Sequence, residues 1–146
     1  MFGRVRQSAC LGFVAVMLIS MTASAEDTVV VGPAAEGSPE AAIIGVFEAA
    51  IAGDFEAYLA QIHVDHRQSA EQRSQREKYE WKRFRKQHEW YLKSKKPVSF
   101  VIVRNREEGN EYKRYTLRDL THPRRMGVPI RLKKGDAGWK VTVSSL

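Results

Sequence analysis

Residues 97–120 read PVSFVIVRNREEGNEYKRYTLRDL, and the spacing of their apolar side chains decides the fold class. Before Pro97 apolar residues recur every third or fourth position, and after it every second. Val98, Phe100 and Ile102 alternate with Ser99, Val101 and Val103, Glu107-Glu108-Gly109-Asn110 makes a turn, and Tyr112 to Leu120 alternates again. A period of two in β-branched and aromatic residues, bounded by turn residues, marks half-buried strands. Proline sits at the switch because it disfavours α geometry in the residue before it.

Toward the C-terminus, His122-Pro123 interrupts the pattern. Val128, Ile130 and Leu132 then define a third strand, Lys134 to Gly138 a hairpin turn, and Trp139, Val141 and Val143 a fourth. Toward the N-terminus the signals are helical. Ser38-Pro39-Glu40 supplies an N-cap, a first-turn proline and an early acid, and Ile43, Phe47 and Ile51 repeat at i, i+4, i+8. Gly53 stops that helix and Asp54 caps the next, where Phe55, Tyr58, Leu59 and Ile62 keep helical spacing. Ser69-x-x-Gln72 has the form of a capping box and opens a helix expected to run from Ala70 to Lys96. Trp81, Phe84, His88, Tyr91 and Leu92 fall on its core face. Tyr79 and Trp90 fall on the other side beside Arg76, Arg83, Lys86 and Lys93. Helices followed by a meander of strands predict an α+β domain whose antiparallel sheet packs its apolar face on the helices.

The first 25 residues, MFGRVRQSACLGFVAVMLISMTASA, carry Arg4 and Arg6, an apolar run and an Ala23-Ser24-Ala25 site. Those are the parts of a cleaved secretory signal, and the run is too short to span a bilayer. The expected location is periplasmic or secreted, with no transmembrane segment after cleavage. Residues 26–37 read as a flexible leader with an extended piece at Val29 to Val31, and residues 38–146 as one domain. The only cysteine, Cys10, lies in the signal, which excludes thiol chemistry and cysteine-metal sites from the mature chain.

The formal net charge of +7 hides a split. From Glu26 to His66 there are eight acids and no Lys or Arg, whereas the remainder holds nine acids and twenty-two bases. Either the halves attract each other or one face is strongly positive. Aromatic rings among cations suit single-stranded nucleic acid, but an exported protein meets little of it. The face of Arg76, Tyr79, Arg83, Lys86, Trp90 and Lys93 is therefore read as meeting an anionic envelope component or an acidic protein, against the alternatives of a solvated face and of attraction to the acidic helices.

SPEAAIIGVFEAAIAGDFEAYLAQI (38–62) resembles the first helices of the nuclear-transport-factor-2-like superfamily, and KKGDAGWKVTVSSL (133–146) is similar to its terminal hairpin. The resemblance implies a cone: N-terminal helices in the concave face of a curved antiparallel four-stranded sheet, with an apolar cavity at the open end. Tyr58, Trp81, His88, Tyr115 and Trp139 are the residues expected to line or close it. It also implies that a homodimer is open to this chain. Relatives include enzymes with an acid or histidine in the cavity and proteins that only bind, so fold does not choose between them. No acid falls on an interior-facing strand position here, since Asp119 lies beside a strand end and Asp136 in a turn. The expectation is an exported binding domain, without turnover and without a cofactor, for a small apolar or amphipathic ligand or an envelope partner. The alternatives are an isomerase or lyase using His88 or Asp119 as base, and an adaptor docking anionic surfaces through the basic helix. His63, Asp65 and His66 could supply metal ligands, but they crowd into one helix-terminal turn without a fourth donor; a histidine favoured by the helix dipole at that end is the simpler account, and no metal is assigned.

Overall fold

The capping chemistry at the start of the first helix is present in the computed structural model, which describes residues 27–63, 69–91, 97–121, 124 and 126–142, and of 87–91 the backbone alone. Ser38 Oγ accepts from the Ala41 N–H at 3.1 Å, and α1 runs Pro39–Ala52. Gly53 ends it with φ 71, left-handed backbone that glycine adopts without the Cβ cost. Asp54 then caps α2, Phe55–Ala60, its Oδ1 accepting from the Ala57 N–H at 3.0 Å. Gln72 Oε1 accepts from the Ser69 N–H at 3.0 Å at the start of α3, Ala70–Gln75. The secretory signal expected over 1–25 lies outside the described residues. Among those described, no helix is long and apolar enough to cross a membrane.

The basic segment is not one uniform helix. After α3 comes a single π-helical turn, Arg76–Trp81, and then α4, Lys82–Tyr91. A π turn closes i to i+5, so it brings residues five apart to one side and shifts the phase of the helix beyond it. Arg76 and Trp81 are such a pair. Trp81 is buried, and the Arg76 side chain keeps only 11% of its exposure. The helical wheel had placed Arg76 outward, on the side opposite Trp81.

The sheet has five strands rather than four. Its order is β1 (Thr28–Val31), β2 (Ser99–Glu108), β3 (Tyr112–Arg118), β4 (Val128–Gly135), β5 (Gly138–Val141), with every neighbouring pair antiparallel and the whole curled into a half-barrel. The added strand is the extended piece anticipated in the leader. Val30 stands opposite Phe100 and packs against the core, while its partner strand is distant in sequence, so no local signal announces the pairing. β2 also continues to Glu108, into the region read as a turn, with a register shift between Ile102 and Arg104 that bends the strand.

Helices and sheet meet through aromatic rings. Phe47 of α1 lies 5.6 Å from Phe84 and 6.4 Å from Phe100, centroid to centroid, and Tyr58 of α2 lies 4.9 Å from Trp81 and 5.2 Å from Phe84. Ile43, Val46, Ile62, Ile130, Leu132 and Val141 close the core around them. Such ring pairs add about 0.5–1.5 kcal/mol each beyond the burial of their area.

Candidate functional site

The residues expected around a cavity do not share one environment. Tyr58 and Trp81 pack ring on ring within the Phe47, Phe55 and Phe84 cluster, which occupies the space between the helices and β2. Burial pushes the Tyr58 hydroxyl up to about 12, the Glu80 carboxylate pushes the same way, and Arg76 and Arg83 oppose them. Tyr115, on β3, donates its hydroxyl to Glu40 Oε1 at 2.9 Å, and burial together with that bond raises it well above the ordinary range. Both phenols are neutral at physiological pH, when they can donate but do not act as bases. Trp139 is half-buried on β5 with the Lys113 ammonium 5.3 Å from its ring centroid. The side chain of His88 lies outside the described residues.

On its other side Trp81 forms part of the wall of a groove. Glu77, Trp81, Lys82, Arg85 and Lys86 line a volume of about 430 Å³ on the outside of the helical layer. Lys82, Arg85 and Lys86 follow one another at i, i+3, i+4, so successive turns of α4 place them on one face. The Arg85 guanidinium sits 5.7 Å from the Trp81 ring centroid, within reach of a cation–π attraction. The same guanidinium lies 3.6 Å from where a Cβ on Gly53 would stand, which sets a cation at the negative end of α1. Three cations against one carboxylate leave the groove positive, and the 6% of Trp81 that stays exposed adds an apolar edge.

Only part of the expected basic face belongs to this groove. Lys86 does, Tyr79 is 72% exposed on the π turn, Arg83 is exposed on α4, and Arg76 turns inward to face Glu80 at 3.6 Å. Trp90 is within α4 with its side chain outside the described residues, as is Lys93 altogether. Lys82 and Arg85 were missed. The signal was readable: Arg85 stands one turn after Trp81 at i, i+4, and its spacing with Lys82 and Lys86 is regular. Arg73 serves the fold: it pairs with Glu56 of α2 and stands 5.8 Å over the Phe55 ring.

Asp119 is buried at the end of β3, where its Oδ1 accepts from both the N–H and the hydroxyl of Thr121 at 2.8 Å. His63 is buried and donates its backbone N–H to Val141 O, while Asp65 and His66 lie outside the described residues. Among the described residues no three potential ligands gather around a point that could hold a metal. Comparison of the chain with protein-family models, with curated proteins and with solved structures found no match. Fold and site define the class: an α+β domain with a curled five-stranded antiparallel sheet and a cationic, tryptophan-walled groove on its helical layer.

Proposed function

We propose that this chain is an exported binding domain for a small amphipathic anion, held in the groove of Trp81, Lys82, Arg85 and Lys86. The observation that carries the reading is that three cations on one helix face and the exposed edge of a tryptophan line about 430 Å³, a volume in the range of small-ligand sites. The head group of such a ligand would lie among the ammonium and guanidinium groups and its apolar part along the aliphatic stems of Lys82 and Lys86 beside the exposed edge of the indole. The signal-like residues 1–25 support an envelope location, where anionic lipids and glycans are abundant. Kinship with nuclear-transport-factor-2-like proteins belongs to the same proposal, supported by helices preceding an antiparallel meander. In this reading ligand binding has moved from the interior, which the Tyr58 and Phe84 rings occupy, to the outer side of the Trp81 that they hold.

Calorimetric titration with lysophosphatidylglycerol, and with the zwitterionic lysophosphatidylcholine as comparison, tests it. A cation near an anionic surface contributes about 1 kcal/mol. The double variant Lys82→Gln, Lys86→Gln should therefore weaken binding of the anionic amphiphile by about thirtyfold. Equal affinity for the two amphiphiles, or an unchanged affinity in the double variant, would refute it.

A further inference from the structure

The sheet treats its two edges differently. On β5 the N–H of Trp139 donates to Gly37 O at 3.0 Å, the N–H of Val141 donates to Gln61 O at 2.9 Å, and Val141 O accepts from the His63 N–H at 3.0 Å. The chain's own segments cover that edge. β1 stands at the other end of the strand order, and among the described residues no strand lies beyond it.

The register shows which groups β1 turns outward. Gly32 donates its N–H to Val98 O at 2.9 Å, in line with a ladder that sets Thr28 opposite Ile102 and Val31 opposite Ser99. Hydrogen-bonded and non-hydrogen-bonded pairs alternate along an antiparallel ladder. Thr28 and Val30 therefore aim their N–H and C=O groups at β2, and Val29 and Val31 aim theirs away from it. Those two valines are also 56% and 51% exposed. The strand reads TVVV, with none of the charges or prolines that usually blunt an open edge.

We infer that β1 is the contact through which two copies of this chain pair, antiparallel, about a two-fold axis at Val30. Outward groups must meet outward groups. The register that achieves this along the whole strand sets Val29 opposite Val31 of the second copy and Val30 opposite its own counterpart, with about four main-chain hydrogen bonds. Charge agrees with that register: Asp27 falls opposite Pro33 and not opposite a second Asp27, and Pro33, having no N–H, ends the ladder. Val101, directly across from Val29 in β2, extends the apolar strip on the outer face. The stoichiometry is fixed as well. Once two β1 strands join, the remaining edges are both β5, already covered, so assembly closes at a dimer instead of growing into a fibre.

The test is sedimentation velocity of the purified protein across the micromolar range, with two edge variants. Val31→Pro removes an outward N–H and leaves the ladder to β2 intact, and Val29→Lys places a charge on the edge. The wild type should sediment at twice the chain mass, and each variant should dissociate at concentrations at least about tenfold higher, with an unchanged circular dichroism spectrum. As a check that does not depend on those variants, Cys10→Ser with Val30→Cys should oxidise to a covalent dimer, because facing residues of a non-hydrogen-bonded pair lie within disulfide reach. A monomer at every concentration overturns the inference, as does a dimer that survives both edge variants without forming the cross-link. A monomer whose Val29 and Val31 amides resist hydrogen exchange also overturns it, since residues 1–26 or a co-purified extended peptide would then be covering the edge.

Discussion

Alkaline pH should destabilise this protein through Tyr58. The ring is 1% exposed at the centre of the aromatic cluster, and its hydroxyl is pushed up from 10.0 to about 12, first by burial and then by the Glu80 carboxylate. In the unfolded chain the phenol loses its proton near its ordinary value, whereas in the folded chain it holds the proton about two units longer. Its contribution is therefore complete below pH 10 and is lost as pH rises from about 10 through about 12, at about 1.4 kcal/mol per pH unit and ~3 kcal/mol in all. That is a large share of the ~5–15 kcal/mol that holds a domain folded. Urea midpoints measured at steps across this window, with tyrosinate absorbance followed in parallel, give the slope directly. Tyr58→Phe removes the titrating group and should flatten the slope by about 1.4 kcal/mol per pH unit. Tyr115, raised by burial and by its bond to Glu40, acts in the same sense, so Tyr115→Phe should keep the Tyr58 contribution and lose its own. A Tyr58→Phe slope equal to that of the wild type between pH 10 and 12 would refute the reasoning.

Three further substitutions test the fold, at two left-handed glycines and where it is most charged. Gly138→Ala should cost ~2–4 kcal/mol in thermal unfolding, because φ is 99 and the new Cβ would lie 2.6 Å from Gly37 Cα, a backbone atom that cannot rotate away. Gly109→Ala, also left-handed but with nothing within 4 Å, should cost only about 1 kcal/mol. Glu108→Gln should lose about 1 kcal/mol at low ionic strength and less at high salt, measured by denaturant unfolding. Glu108 binds the Nε of both Arg114 and Arg131, at 3.1 and 2.9 Å, while Arg114 stands opposite Arg106 on one side and Arg131 on the other.

Much of the fold was legible because its signals are local. Ser38, Asp54 and Gln72 each satisfy an N–H within three residues of themselves, and the change of period at Pro97 separates the helical half from the strands. The apolar alternation likewise grouped Phe100 with Ile102, and Tyr115 was expected on the inner side; all three are buried. The candidate site was less legible. Lys86 was on the expected basic face, but Lys82 and Arg85 joined it and Arg76 left it. A π turn adds one residue per turn with no distinctive composition, so a helical wheel drawn at constant pitch misplaces Arg76 relative to Trp81. The fifth strand was missed for a related reason: four residues gain a strand's stability only by pairing with a distant one, which no window over Thr28–Val31 contains.

By itself the sequence determined the caps, the helix-to-strand switch and the antiparallel order of the last four strands, because each follows from a hydrogen bond or an apolar period within a few neighbouring residues. Only the tertiary structure decided that the rings of Phe47, Tyr58, Trp81 and Phe84 pack on one another, that Trp81 borders a cationic groove, and that β5 is covered while among the described residues no strand lies beyond β1. Those outcomes depend on which distant segments compete for the same space and the same backbone donors. That competition is settled by packing the whole chain at once.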